Sequence, residues 1–262
     1  MNLKISRELS IEETLKEAFK LYSENFASLF MPMLIASLVT GSFSILIVKY
    51  AESMPELGPS ISPEIAMNKL WSYMIGLLGV SLVVGIISLV VRCIAEGICV
   101  KFAADIIEEK NPSLEESFNF TVYKLVSLLA ADIVVAILAF LGFIALIVPG
   151  IIITIMFSLI IQAIMIEDAG VLESLSRSRK LVSNRWLKTF ALLLIIYLIV
   201  GIVGFIGSLI GTPFGAYKYT VSSIASAFIS PIVPISLTFH YYSMKMKEEQ
   251  RKPPPPPPPP NI

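Results

Sequence analysis

Six apolar stretches, each about as long as a membrane-crossing helix, restrict what this chain can fold into. A hydrocarbon core about 30 Å thick requires roughly 20 helical residues, because each residue adds about 1.5 Å. The stretches are Ala27 to Tyr50, Trp71 to Val91, Ala131 to Val148, Ile151 to Ile166, Lys188 to Ile210 and Val221 to Tyr241. Only 15% of the residues are charged, against about 25% in soluble domains. The sequence therefore predicts an all-α, polytopic membrane protein with six transmembrane helices.

The basic residues divide unequally between the two sides that these stretches define. With the N-terminus inside, 17 of the 20 Lys and Arg residues fall in inner segments, and only Lys49, Lys69 and Lys218 fall outside. Lys and Arg are retained on the cytoplasmic side of a cell membrane. We therefore expect a multi-pass cell-membrane protein with both termini in the cytoplasm. The formal net charge of zero gives no sustained basic excess, which argues against nucleic-acid binding.

An amphipathic pattern recurs three times along the chain. The segment IEETLKEAFKLYSENF (11–26) aligns with VLESLSRSRKLVSNRW (171–186), and SLEESFNFTVYKLVSLL (113–129) has the same helical spacing of apolar residues. Apolar residues at this spacing form one face of a helix. The Ser-x-x-Glu pattern at Ser10 and at Ser113 is a capping box, which predicts where the first two of these helices begin.

These patterns predict three parallel repeats, each an amphipathic helix followed by a transmembrane hairpin, over about residues 10–110, 113–168 and 170–245. Pro149–Gly150 should form the turn of the second hairpin. The second transmembrane helix should continue into the cytoplasm to about Lys110, and Pro231 and Pro234 should kink the sixth helix. The domain prediction is one membrane domain over 1–252, followed by a proline-rich cytoplasmic tail at 253–262.

Cations are concentrated on the polar faces of the first and last amphipathic helices. Long basic side chains beside an apolar stripe can extend toward lipid phosphates. We therefore expect membrane lipids as partners and predict headgroup contact for six residues. They are Lys16, Lys20, Arg177, Arg179, Lys180 and Arg185.

Two segments, SIEETLKEAFKLYSENFASLF (10–30) and VPGIIITIMFSLIIQAIMIEDAGVLESLSRSRKLVSNRW (148–186), carry a resemblance to a known family. With the order of helices over about residues 8–245, the chain resembles the membrane domain of glycerophosphoryl diester phosphodiesterases and related stand-alone six-helix prokaryotic membrane proteins. The resemblance implies a six-helix membrane fold. It implies no catalytic residues, because the phosphodiesterase activity of that family belongs to a separate soluble domain.

The sequence has few groups that could support chemistry. It contains one histidine and two cysteines, and it has no Walker loop, G-x-S-x-G or H-E-x-x-H motif. We therefore expect no enzyme activity, no cofactor and no metal. Cys93 and Cys99, six residues apart on one predicted helix, should be free thiols.

A small set of polar residues in or beside the apolar stretches forms a candidate cluster. A charged side chain at the bilayer centre costs at least about 2.5 to 3.5 kcal/mol, so such residues are functional candidates. Arg92 and Glu96 can pair at i,i+4, the repeat register places Asp132 near the inner interface beside a cation, and Gln162 can bond between helices. His240 is expected to lie among aromatic residues at the inner end of the last helix.

Two functions remain open. The first is a non-enzymatic membrane protein that scaffolds partners or organises lipids at the cytoplasmic face, with the polyproline segment 253–260 docking a protein partner. The alternative is a transporter or lipid-handling carrier with a site between the three repeats. A central cavity lined by Asp132, Gln162 or His240 favours the carrier, whereas a glycine-packed bundle without a cavity argues against it.

Overall fold

The described part of the chain is helical, with no strand among residues 7–56, 58 and 61–250 of this computed structural model. The predicted tail at 253–262 lies outside the described residues. The helices are α1 (Ile11–Glu24), α2 (Phe26–Glu52), α3 (Pro63–Ile107), α4 (Leu114–Ala145), α5 (Ile147–Met156), α6 (Ile160–Glu167), α7 (Val171–Ser183), α8 (Trp186–Gly211), α9 (Lys218–Ala227) and α10 (Ile232–Gln250). A 3-10 helix, Thr212–Tyr217, joins α8 to α9.

The three amphipathic helices begin where the capping patterns predict. The Ser10 hydroxyl accepts a hydrogen bond from the Glu13 amide at 3.1 Å, and the Glu13 carboxylate accepts one from the Ser10 amide at 2.8 Å. The Ser113 hydroxyl accepts from the Glu116 amide at 3.3 Å. At α7 the Gly170 amide donates to the Glu173 carboxylate at 3.4 Å. These bonds satisfy amides that have no partner inside the first helical turn.

Within the described part of the chain, six helical segments are long and apolar enough to cross a membrane, which agrees with the predicted number. They are Phe26–Glu52, Pro63–Ile107, Leu114–Ala145, Ile147–Glu167, Trp186–Gly215 and Lys218–Gln250. Large apolar side chains such as Leu78 (67% exposed) and Leu82 (66% exposed) point away from the protein. A surface of this kind needs lipid around it. The chain thus has the make-up of a multi-pass membrane protein.

The second segment continues well beyond the length of one crossing, as predicted. Helix α3 has 45 residues and ends at Ile107, so it is about 67 Å long. The sixth segment is interrupted at 228–231, between α9 and α10, and Pro231 lies in this break. Pro234 lies in the first turn of α10, where a missing amide hydrogen has no consequence for the helix.

The predicted turn of the second hairpin is wrong. The chain reverses at Leu146, an extended residue between α4 and α5 (φ −167°, ψ 157°), and Pro149 and Gly150 are already helical. Proline is tolerated in a first helical turn because its missing N–H would be unpaired there. Gly150 allows close contact between the helices, since a Cβ atom there would lie 2.5 Å from the Phe143 ring.

The membrane-crossing helices form a closed ring in the order α2, α3, α4, α5, α8 and α9, with α9 contacting α2. We call the end that carries α1 and α7 the basal end. The opposite, distal end is marked by the stacked rings of Tyr50 and Tyr73, whose centroids are 5.7 Å apart. In the basal half, α10 contacts α1, α3, α6, α7 and α8. Its residues Ile235, Phe239 and Tyr241 are fully buried, so α10 fills the centre of the basal half.

The distal half is closed by glycines. A Cβ atom on Gly207 of α8 would lie 2.5 Å from the Ala225 Cβ of α9, and one on Gly41 of α2 would lie 3.0 Å from the Thr220 Cα. Small residues permit helix backbones to approach closely, and at these two positions there is no room for a Cβ atom. Close packing at Gly207 therefore joins α8 to α9, and close packing at Gly41 joins α2 to α9.

Candidate functional site

Arg92 of α3 holds two carboxylates between the helices. Its Nη1 atom donates to Glu96 Oε1 at 3.0 Å, one turn further along α3, and its Nη2 atom donates to Asp132 Oδ2 of α4 at 2.9 Å. The Cys93 thiol, free as predicted, also donates to Asp132 Oδ2 at 3.2 Å. Arg92 thus links α3 to α4, and Glu96 forms the i,i+4 pair that its spacing allows.

This cluster faces two adjoining cavities inside the helix ring, of about 400 and 490 Å³. Both volumes fall in the range of small-molecule sites, about 300 to 1,000 Å³. Together the cavities are lined by residues from α2, α3, α4, α5, α6, α8 and α10. The lining residues shared by both cavities are Leu89, Arg92, Glu96, Tyr197, Val233 and Pro234.

The cavities lie far from the basal ends of the helices. On α2 the lining runs from Met33 to Thr40, and on α8 from Leu193 to Val200. Each stretch begins seven residues after its helix does. At 1.5 Å per residue, the lining therefore extends from about 10 to 21 Å along each helix. This range includes the midplane of a hydrocarbon core about 30 Å thick.

Gln162 of α6 lines the first cavity, and its side-chain oxygen is a buried acceptor without a partner among the described residues. The residue is 2% exposed. A buried polar atom without a partner costs about 1 to 3 kcal/mol. The structure thus brings Arg92, Glu96, Asp132 and Gln162 to one cavity, although they are far apart in sequence.

His240 does not line the cavities. It is fully buried in α10, and its Nε2 atom lies 3.0 Å from the Thr189 hydroxyl of α8. Thr189 precedes the lining segment of α8, so this contact lies basal to the cavities. Tyr197 is one of several polar lining residues that the sequence did not reveal, together with Ser37 and Ser88. A polar hydroxyl within an apolar stretch was the available signal.

The predicted headgroup cations divide into two groups. The first group, Arg177 and Arg185, is 18% and 15% exposed and forms ion pairs within the protein. Arg177 pairs with Glu167 at 2.8 Å and with Glu248 at 2.5 Å, and Arg185 pairs with Glu8 at 2.7 Å. The others are exposed: Lys180 pairs with Glu248 at 2.5 Å, whereas three have no carboxylate within 4 Å in the described part of the chain. These three are Lys16, Lys20 and Arg179.

Glu8 forms a second ionic centre, which the sequence did not reveal. Its carboxylate accepts from Arg185 at 2.7 Å, from Lys188 at 2.9 Å and from Lys247. Burial raises the pKa of Glu8, but the hydrogen bonds from Lys247 and Lys188 outweigh it and lower the pKa to about 2. The Leu9 amide also donates to the Ser243 hydroxyl at 2.8 Å. The segment before α1 is thereby attached to α8 and α10.

The fold and the site define an all-helical, multi-pass membrane protein with a charged cavity inside its helix ring. Residues 77–239 match the family described as Domain of unknown function (DUF7847), and the chain belongs to that family. The matched region contains Arg92, Glu96, Asp132 and Gln162. No curated protein and no solved structure matches the chain. Among residues 7–56, 58 and 61–250, no group of three His, Cys, Asp or Glu side chains could hold a metal ion.

Proposed function

We propose that this protein is a membrane carrier that binds an amphiphilic molecule in the cavities of its helix ring. The observation that carries the proposal is the Arg92 cluster in a space lined by seven helices of the protein. Charges within the membrane are expensive, and well-packed apolar residues are often more stabilising than a buried ion pair. A protein that keeps three charged groups beside an open cavity in the membrane is therefore expected to use them to bind a ligand.

The cavity position agrees with the proposed three parallel repeats. The lining residues Met33, Ser37 and Thr40 of α2 correspond, at a displacement of 160 residues, to Leu193, Tyr197 and Val200 of α8. Equivalent faces of the first and third repeats thus contribute to one site. A shared site between repeats is the arrangement that parallel-repeat transporters use.

Three further proposals rest on the sequence patterns. The basal end lies in the cytoplasm together with both termini, because the Lys and Arg residues are concentrated there. The membrane is the cell membrane. The relation to the membrane domains of glycerophosphoryl diester phosphodiesterases rests on segments 10–30 and 148–186.

A second candidate function is organisation of anionic lipids at the basal face. It is favoured by Lys16, Lys20 and Arg179, which are exposed and have no carboxylate partner among the described residues. The two functions are compatible, since the cations and the cavity use different surfaces. Scaffolding of a protein partner by the proline tail stays a prediction outside the described residues.

Filling the cavity tests the carrier. Ala139→Trp places a large ring in the first cavity, and Ile137→Trp on the same helix is the matched control, because Ile137 is 54% exposed and does not line either cavity. Binding of radiolabelled dodecylamine, dodecanol and dodecanoate is measured on purified protein in lipid nanodiscs. We expect Ala139→Trp to weaken binding of at least one probe tenfold or more, with Ile137→Trp unchanged. Equal binding of every probe to both variants refutes the carrier.

A further inference from the structure

We propose that the amphipathic helices α1 and α7 control access to the cavities, because each holds the second half of one interrupted transmembrane segment. In this device α7 moves together with α6, α1 moves together with α10, and the chain bends at the two interruptions. The inference rests on the carrier function proposed above and specifies how the site of that carrier is opened.

Two transmembrane segments are interrupted where they border the cavities. The first interruption, 157–159, separates α5 from α6, and its residues Phe157 and Ser158 line the first cavity. The second interruption, 228–231, separates α9 from α10, and its residue Ser230 lines the second cavity. Short segments at the ends of helices can absorb the dihedral changes of a hinge. A bend at either interruption therefore changes the shape of a cavity.

Helix α7 holds the first interruption with one buried hydroxyl. Ser178 Oγ donates to the Met156 carbonyl at 2.7 Å and accepts from the Leu159 amide at 3.2 Å. In an uninterrupted helix the Met156 carbonyl would accept from the Ile160 amide, which instead donates to the Phe157 carbonyl at 3.4 Å. A side chain inserted into the backbone hydrogen bonds in this way is one cause of helix kinks. The bend between α5 and α6 therefore depends on the position of α7.

Helix α7 also holds the far end of α6. The Arg177 guanidinium, next to Ser178 in the chain, donates to the Glu167 carboxylate from Nε at 2.8 Å and from Nη2 at 2.9 Å. Helix α6 has only eight residues, so α7 is attached to it at both ends. Ile160 and Ile161, which line the first cavity, lie between the two attachments. Movement of α7 must therefore carry this wall of the cavity with it.

Helix α1 makes equivalent attachments to α10. The Tyr22 hydroxyl donates to the carbonyl of Phe228, the first residue of the second interruption, at 2.8 Å. Near the far end of α10, the Ser243 hydroxyl accepts from the Leu9 amide at 2.8 Å. The α10 residues that line the cavities lie between these two attachments, so they follow the position of α1. They are Val233, Pro234 and Leu237.

The first test measures the two hinges without a ligand. Spin labels on Val148→Cys of α5 and Leu172→Cys of α7 span the first interruption. Labels on Phe19→Cys of α1 and Tyr219→Cys of α9 span the second. All four positions are exposed, whereas the two native thiols are buried and stay unlabelled. Electron paramagnetic resonance of the full-length protein in lipid nanodiscs gives the distance distribution for each pair of labels.

Each hydroxyl should control its own interruption. We expect Ser178→Ala to broaden the 148–172 distance distribution by about 2 Å or more, the scale of hinge rearrangements, and to leave the 19–219 distribution unchanged. Tyr22→Phe, which keeps the aromatic ring, should do the reverse. Ser183→Ala is the matched control on α7, because its exposed hydroxyl donates to a carbonyl of its own helix. Unchanged distributions in both variants, or equal broadening of both distributions by either variant, overturns the inference.

The second test joins the hinges to the carrier. A looser hinge opens more often, which raises the rates of binding and release together and leaves Kd unchanged. For the dodecyl probe that binds most tightly, Ser178→Ala and Tyr22→Phe should raise both rates by about three- to tenfold, the range that loss of one hydrogen bond produces. Broadened distances with unchanged rates overturn the control of access. If no probe binds and Ala139→Trp has no effect, the carrier is refuted, whereas the distances still decide whether α1 and α7 set the hinges.

Discussion

Arg92 Nη2 lies 2.9 Å from Asp132 Oδ2, and this contact joins α3 to α4 at the edge of the cavities. The two residues are 40 positions apart, and the same guanidinium also binds Glu96. One side chain therefore binds a carboxylate on each of two helices. The consequences for stability and binding are separable by mutation.

Removing the cation should destabilise the protein. We expect Arg92→Met to lower the free energy of unfolding by about 1 to 3 kcal/mol, because two carboxylates that are only 20% and 13% exposed lose their hydrogen-bonding partner. The change is measured as a fall in Tm of the purified protein in detergent. The triple variant Arg92→Met, Glu96→Gln, Asp132→Asn removes all three charges of this cluster and should recover most of the loss. A triple variant as unstable as Arg92→Met contradicts the electrostatic explanation.

The Glu8 contacts should make stability depend on pH. The pKa of Glu8 is lowered from 4.5 to about 2 in the folded state. A lowered carboxyl pKa stabilises the fold above the unfolded value, and this contribution is lost as pH falls from about 4.5 through 2. We expect Glu8→Gln to have a lower Tm than the parent protein at pH 6, with the difference shrinking below pH 4.5. Glu12→Gln is the exposed control and should show no such trend. A Glu8→Gln difference that stays constant down to pH 2.5 argues against these ion pairs.

Side-chain bulk at the distal helix contact should open the ring. Gly207→Leu should destabilise the protein by about 1 to 3 kcal/mol, as overpacking does, because a Cβ atom there already lies 2.5 Å from the Ala225 Cβ. Gly201→Leu on the same helix is the matched control, since a Cβ atom there meets no atom within 4 Å. Comparing the Tm values of the two variants separates the effect of a steric clash at Gly207 from the general effect of replacing a glycine in a helix. Equal Tm values contradict the close contact of α8 with α9.

Two arginines near α7 should differ in their effect on lipids. Arg179 is exposed and has no carboxylate partner among the described residues, whereas Arg185 binds Glu8. Arg179→Gln should weaken retention of anionic lipid by about 1 kcal/mol, roughly fivefold, without changing Tm. Arg185→Gln should lower Tm instead. Lipid retention is measured by native mass spectrometry, and Tm is measured by thermal unfolding. If both variants change lipid retention and Tm in the same way, the proposed difference between Arg179 and Arg185 is contradicted.

Local patterns in the sequence predicted the helices well, because each depends on neighbouring residues. Apolar length gave the six spans, and Ser10 and Ser113 gave helix starts. The Pro149–Gly150 turn was wrong because a proline is equally compatible with a first helical turn, and Leu146 carries no turn signal. The shared cavity of Gln162 and Arg92, and the contact of Glu8 with Arg185 at a separation of 177 residues, depend on how the helices pack. No local pattern encodes either arrangement.

The most direct test of the carrier is an electron cryomicroscopy structure of the protein in lipid nanodiscs with each dodecyl probe in turn. We expect elongated density for at least one probe in the cavities between α3, α4 and α8, with its polar end within hydrogen-bonding distance of Arg92, Glu96 or Asp132. The same density should be absent from Ala139→Trp. Cavities that hold no ligand density at saturating dodecylamine, dodecanol or dodecanoate would contradict the proposed function.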